Sequence, residues 1–333
     1  SWSHVGHVSE LEEEGAYLTA EIAGQGIFVI RGSDGDLHAF FNTCQHRGHS
    51  LLKGKGRAKN LIVCPYHSWS YDHAGALRAA PNSEQVKDFD KACFGLAPVR
   101  IELFAGFVFV NLDAEAPAMA EVYPGAALWL LDNCPAITGL VPTDTVLFDI
   151  KGNWKNVGDN FLECYHCSTT HKAFVDLVDM GTYQVETTEH WSVQKGQCRT
   201  TNAAYDFFAG GKDDADFFAL YLWPALAFVK FPGTPGIATF SFLPLESEIT
   251  RQAFIYHAVD GVPTDTESNA LAYFRDVLGP EDVNLVEDVQ RGLHSLGYHQ
   301  GRFMIDAVRS AVSEHAVHHF HSLVHRALVP DGG

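Results

Sequence analysis

Two short pairs of residues stand out for the chemistry they allow. Cys44 and His46 form one pair, and Cys64 and His67 form the other. Each pair sits in a loop of glycine or aromatic neighbours, Cys44-Gln-His46-Arg47-Gly48 and Cys64-Pro-Tyr66-His67-Ser68-Trp69. Thiolate with imidazole suits a zinc ion or an iron–sulfur centre, and the spacing alone leaves both open. A cluster with two Cys on one iron and two His on the other has a raised potential, useful for passing single electrons. A second constellation lies in residues 152–171, GNWKNVGDNFLECYHCSTTH. On a regular helix His166 and His171 would point roughly 140° apart. They converge on one metal only if the helix ends or bends between them, which Ser168-Thr169-Thr170 permits. A third ligand is offered by the acidic run Glu281-Asp282. Two imidazoles and one carboxylate with open positions are the facial triad of iron(II) oxygenases.

The stretches CQHRGHSLL and CPYHSWSYDHAGALRAAP resemble the Rieske motif, C-x-H followed by C-x2-H, with its Arg-Gly and Trp companions. The resemblance implies a 2Fe–2S cluster bound by Cys44, His46, Cys64 and His67. His49 and His73 fall outside that pattern and read as structural or exposed, and Cys93 and Cys134 as core thiols. The second constellation resembles the motif of Rieske non-haem iron oxygenases: an acid, x, Tyr, His, four residues, His, and a distant Asp. It implies a mononuclear Fe(II) held by His166, His171 and Asp282. Asp282 is taken over Glu281, Glu287 and Asp288 from its context, D-x5-D/E-x-Q-x-G. In the family an acid at Glu163 bridges the Rieske histidine of a neighbouring subunit to the iron histidine. Most members carry Asp there, whereas Glu within E-C-Y-H-C resembles the branch that oxidises betaines and carnitine.

The same resemblance implies an α+β architecture. An all-β Rieske domain is followed by a helix-grip catalytic domain, an antiparallel sheet with a long C-terminal helix. It also implies a homotrimer and hydroxylation of a C–H bond with O2. A separate reductase, of flavin and ferredoxin type, would draw on NAD(P)H. The chain itself shows no P-loop and no G-x-G-x-x-G, and no G-x-S-x-G elbow. Cys164 and Cys167 mimic a zinc pair, but taking both as ligands leaves the His-x4-His spacing unexplained, so they read as structural. His315, His318, His319, His321 and His325 crowd one predicted helix and read as a packed or surface face.

The elements that must position these groups follow from hydrophobic patterning. Residues 16–22, 26–31, 37–41, 61–64, 68–71, 99–103 and 107–111 read as strands, with a turn at Ser33-Asp34-Gly35-Asp36. The Ala-, Pro- and acid-rich stretch 113–124 reads as a linker, dividing the chain into domains 1–116 and 117–333. Residues 156–170 read as a helix, and 183–201, 226–231, 236–245 and 251–259 as antiparallel strands. Further helices are expected at 263–278, 281–296 and 305–329. Residues 205–222, with Gly210-Gly211-Lys212-Asp213-Asp214 at the tip, read as a mobile loop.

Composition bounds the function. The chain has 333 residues, 46% hydrophobic and 19% charged, and a net charge of −18. So acidic a chain is a poor partner for nucleic acid or anionic lipid and suits a cationic ligand. No apolar run reaches the length of a membrane span. The N-terminus carries no signal-peptide pattern, nor an initiating Met. Seven cysteines, an odd number, argue against a disulfide framework and for a reducing cytoplasm. Aromatics make up 12% of the chain. Tyr205, Phe208, Trp223 and Phe228 are candidates to hold a quaternary ammonium by cation–π attraction. The reading is an oxidative N-demethylase of a betaine, proline betaine ahead of glycine betaine and carnitine. Hydroxylation of an aromatic ring is the second reading. An electron carrier or zinc-stabilised binding protein is the third.

Overall fold

The computed structural model describes residues 1–208 and 216–329. Contacts divide the chain into two compact units, Ser1–Glu121 and Val122–Gly333. The first contains three antiparallel sheets. One is formed by β1 (Ser3–His7), β10 (Phe107–Asn111) and β9 (Arg100–Phe104). A second, in the order β4 (Leu37–Phe41), β3 (Gln25–Arg31), β2 (Ala16–Ile22), β5 (Lys55–Arg57), packs beside it. The third joins β6 (Ile62–Val63), β7 (Ser70–Tyr71) and β8 (Leu77–Ala79). Strand β3 is apolar on both faces because it separates two cores. Ile27 and Val29 face one core, with Leu18, Val108 and Val110. Phe28 and Ile30 face the other, with Cys44, Cys64, Trp69 and Tyr71.

Strands β6 and β7 are shorter than expected, because the Cys64 loop takes up the residues between them. That loop and the Cys44 loop share one backbone design. The Cys44 N–H donates to the His49 carbonyl (2.9 Å) and the Gly48 N–H to the Cys44 carbonyl (2.9 Å). Likewise the Cys64 N–H donates to the Trp69 carbonyl (2.8 Å) and the Ser68 N–H to the Cys64 carbonyl (3.0 Å). In both loops the fourth residue after the cysteine is left-handed, Gly48 at φ +70° and Ser68 at φ +59°. Glycine adopts that conformation freely and serine does not.

The second unit is built on a seven-stranded antiparallel sheet. Its order is β11 (Leu140–Ile150), β17 (Ile249–Val259), β16 (Ile237–Glu246), β15 (Leu226–Lys230), β14 (Asp216–Leu222), β13 (Trp191–Gln197), β12 (Gln184–Thr187). Both β11 and β14 are absent from the sequence expectations. β14 shows that 216–222 belongs to the sheet and not to a loop, whereas the glycine tip 210–214 lies outside the described residues. Helix α1 (Met119–Val122) lies at the boundary in the sequence. Helix α2 (Ala126–Asn133) covers one sheet face through Trp129, edge-on to Phe218. The opposite face carries Phe217, Ala219, Val229, Phe240 and Phe254 and packs on the helices that lie between residues 154 and 328.

The expected helix 156–170 is divided into α3 (Trp154–Phe161) and α4 (Cys167–Thr170), followed by α5 (Lys172–Leu177). The expected helix 263–278 begins at Asp265, where Thr264 and Glu267 form a capping box. Helix α6 (Asp265–Tyr273) runs through a π-turn (Phe274–Leu278) into α7 (Gly279–Leu293). Pro280 cannot donate a backbone hydrogen bond, and the wide turn before it absorbs the mismatch. Gly279 is required there, since a Cβ would lie 2.7 Å from the Phe148 ring and 3.0 Å from the Phe274 carbonyl. Helix α7 is pinned to the start of α3. Gln290 Oε1 accepts from the Asn153 N–H (2.9 Å) and the Asn156 amide (2.7 Å). Of the expected helix 305–329, only α8 (His315–Leu328) forms. Upstream, Asp306 accepts from the backbone N–H groups of Val308 and Ser310, a local turn that competes with helix. Among the described residues no helix is long and apolar enough to cross a membrane.

Two substitutions test these constraints. Gly279→Ala should cost about 1–3 kcal/mol of stability by overpacking, read as a fall in the calorimetric unfolding midpoint; an unchanged midpoint counts against the contact with Phe148. Gly48→Ala, with open space around its Cβ, should cost about 1–2 kcal/mol through backbone strain alone, whereas Ser68→Gly should relieve the equivalent strain. Destabilisation of the same size by both would refute the shared loop design.

Candidate metal centres

In the first unit the two loops present their four candidate ligands at different depths. Cys44 and Cys64 are buried, while His46 and His67 are exposed. The Tyr71 hydroxyl lies 3.4 Å from Cys44 Sγ and accepts the Gln45 N–H at 3.0 Å. Burial pushes the Cys64 thiol up. The His46 and His67 rings lie 4.7 Å apart, edge to face, and His46 stacks on Trp69 at 4.9 Å. Trp69 is itself held edge-on by Phe89 and Phe94. The donor set, two thiols inside and two imidazoles outside, fits a cluster with a buried and an outward iron. His73 is buried, with Nε2 2.8 Å from the Ala58 carbonyl oxygen, and His49 is exposed. Cys93 is exposed, contrary to the core thiol expected, while Cys134 is buried.

In the second unit the break between α3 and α4 brings His166 and His171 together. His166 precedes α4, and His171 ends it with φ −99° and ψ 68°. The helical line is therefore interrupted at both imidazoles, and their Nε2 atoms face each other at 3.0 Å. Asp282, on the first turn of α7, places Oδ1 3.0 Å from His171 Nε2 and 3.5 Å from His166 Nε2. One ligand atom from each of the three residues lies within 4.8 Å of the others. This nitrogen, nitrogen, oxygen set fits a divalent iron with open positions. The other acids near Asp282 point elsewhere. Glu281 Oε2 lies 2.7 Å from His171 Nδ1, Glu287 accepts the Lys151 N–H at 3.1 Å, and Asp288 pairs with Arg291.

Glu163 lies beside His166 Nδ1, and its second oxygen accepts the backbone N–H groups of Tyr165 and His166. Burial alone would lower the His166 pKa, but hydrogen bonds with Asp282 and Glu163 outweigh it and raise the group to about 9. His171 is raised in the same way against its burial. Burial would raise Asp282, but bonds with His166 and His171 draw it down to about 2. The acids thus create a potential that holds protons here and would favour a metal cation in their place. Cys164 and Cys167 form a disulfide, which the cysteine count had argued against. The tight turn between α3 and α4 sets their Cα atoms 4.9 Å apart, within disulfide range. The histidines of α8 do not converge: His321 pairs with Asp159, His319 lies near the Glu189 carbonyl, and His315 near the Ser313 hydroxyl.

A cavity of about 590 Å³ of empty space, counting its open mouth, adjoins the triad. Its walls include Phe161, Phe174, Tyr183, Phe217, Phe240, Phe254 and Phe274, and its charged lining groups are Glu163, Asp282 and the two histidines. None of the four aromatics expected to hold the substrate lines it. Tyr205 is buried with its hydroxyl on the Pro232 carbonyl (3.0 Å), and Phe208 is 84% exposed. Trp223 packs on Trp154 and Phe320. Phe228 is out of phase: side chains alternate along β15, so Val229 and Phe231 face the cavity and Phe228 faces away. The signal that would find the lining is this period of two, but it selects a face only once the strand register is known.

Residues 1–90 match the Rieske 2Fe-2S domain, and residues 138–329 match the ring hydroxylating alpha subunit catalytic domain. The carnitine monooxygenase oxygenase subunit of Escherichia coli K12 is 40% identical over 325 residues, 97% of this chain and 86% of that protein. Choline monooxygenase of Beta vulgaris is 28% identical over 337 residues, 98% of this chain and 72% of that protein. A solved quaternary ammonium Rieske monooxygenase superposes with a TM-score of 0.90 at 38% identity, covering 97% of this chain and 88% of that one. Matched by both family models and by a 40% identical relative along nearly its whole length, the chain belongs to the Rieske non-haem iron oxygenases and carries a Rieske 2Fe–2S cluster and a mononuclear iron.

Proposed function

We propose that this enzyme hydroxylates an N-methyl group of a quaternary ammonium betaine, proline betaine ahead of glycine betaine and carnitine. The observation that carries the reading is the cavity beside the triad, which is walled largely by aromatic rings. Each aromatic face can stabilise an ammonium by about 0.5–2 kcal/mol. The relatives named for carnitine and choline, both quaternary ammonium compounds, support the same class. Besides Asn160, the uncharged polar lining groups are already engaged. Tyr183 already donates to Gln194 (2.9 Å), and the Gln194 amide donates to the Phe161 carbonyl (2.8 Å). A pyrrolidine ring adds apolar surface without a hydroxyl to satisfy, which favours proline betaine over carnitine.

In this reading Cys44, His46, Cys64 and His67 hold the cluster, and His166, His171 and Asp282 hold the iron. When bound, the two metal groups supply the activation of O2. The aromatic walls hold the methyl group near the open side of the triad and exclude bulk water. The substrate, O2, two electrons and two protons give the N-hydroxymethyl product and water. Loss of formaldehyde and a proton then leaves the tertiary amine. The electrons would come from NAD(P)H through a separate reductase of flavin and ferredoxin type, in a cytoplasmic setting. In a homotrimer Glu163, which holds His166 Nδ1, would be the residue through which a neighbouring subunit's cluster is coupled to the iron site. The inter-subunit electron transfer described for the solved relative supports that route.

Reductase-coupled turnover with a panel of proline betaine, glycine betaine, carnitine and choline should release formaldehyde with the first fastest. Formaldehyde from none of them, or a cis-diol from an arene instead, would overturn the substrate class. Glu163→Gln should retain the iron of both centres and lose turnover by at least about 10–100-fold; full activity would remove Glu163 from the electron path.

A further inference from the structure

Glu281 has no part in the reading above, yet it engages the same imidazole as Asp282. Its Oε2 lies 2.7 Å from His171 Nδ1, while Asp282 Oδ1 lies 3.0 Å from Nε2 of that ring. Consecutive residues on a helix diverge by about 100°. Here the two carboxylates therefore approach opposite edges of one imidazole. Among the described residues His171 is the only ion-pair partner of Glu281. The ring is buried, and the Glu281 side chain is about one-third exposed.

We propose that Glu281 is the positioning residue for iron binding by His171. By accepting the Nδ1 proton it selects the tautomer that presents the Nε2 lone pair to the triad. A carboxylate on the outer nitrogen also makes the inner nitrogen a better donor. The two histidines are not equivalent in this respect. Glu163 belongs to the same turn as His166, so its contact is local. Glu281 comes from α7, 110 residues along the chain from His171. Because Glu281 and Asp282 are adjacent, the contact at Nδ1 also ties the first turn of α7 to His171 beside Asp282.

The inference rests on the assignment of His166, His171 and Asp282 to the iron, and not on the betaine reading. It is tested on the holoenzyme by competition with a ferrous chelator, with the visible spectrum of the cluster as an internal control for folding. Glu281→Ala should weaken iron(II) retention by about 10–100-fold with the cluster spectrum unchanged. Glu281→Gln, which still offers an acceptor to Nδ1–H, should lose less. In cobalt(II)-loaded protein, Glu281→Ala should shift the ligand-field bands, which a merely structural role would leave in place. Retention within about twofold of the parent, with unshifted cobalt bands, would overturn the proposal. So would loss in both Glu281 variants as complete as in Asp282→Ala, since Glu281 would then be a ligand. An Asp282→Ala protein that keeps its iron would instead refute the underlying assignment.

Discussion

The second unit depends on one geometric demand: two imidazoles five residues apart must aim at the same point. A continuous helix would splay them, so the backbone ends α3 at Phe161, turns, and leaves α4 at His171. Each interruption exposes backbone donors. The side chain of Glu163 satisfies the N–H groups of Tyr165 and His166 while it holds His166 Nδ1. The bonded pair Cys164 and Cys167 closes the same turn. The triad is thus built where regular structure fails, and the surrounding groups replace the hydrogen bonds the helix would have made.

The third candidate ligand imposes the next demand. Asp282 is useful only if α7 sits at a fixed height and rotation against α3. Gln290 and Glu287 bind the backbone at the start of α3, and Gly279 lets α7 lie against Phe148. The π-turn before Pro280 adjusts the phase of the helix that carries both acids. The sheet contributes differently, as a rigid apolar wall. Its phenylalanines place apolar surface beside the acids and imidazoles, and such surroundings strengthen the interactions among them. The raised histidines and the lowered Asp282 are the electrostatic record of that arrangement.

In the first unit the same logic works at the backbone. Two loops of one design hold buried sulfur and exposed imidazole, each turning through a left-handed residue. Strand β3, buried on both faces, separates the core beneath these loops from the core of the other sheets.

Much of this was legible in the sequence. Candidate metal ligands at short spacing stand out, because ligand chemistry restricts the choice to Cys, His and carboxylate. Local patterning also located β2, β4 and β10 to the residue. The misses share a cause. Strands β11 and β14, the curtailed helix before α8 and the Cys164–Cys167 bond each depend on what packs or turns nearby. Tyr205, Phe208, Trp223 and Phe228 were plausible as aromatics but lie off the cavity, and nothing in the sequence places Glu281 on His171. Residue type and spacing specify which atoms can bind a metal or a cation. Which face of a strand meets the cavity, and which of two adjacent acids reaches which ring nitrogen, is decided by strand register and helix phase, and those are set by contacts more than a hundred residues apart.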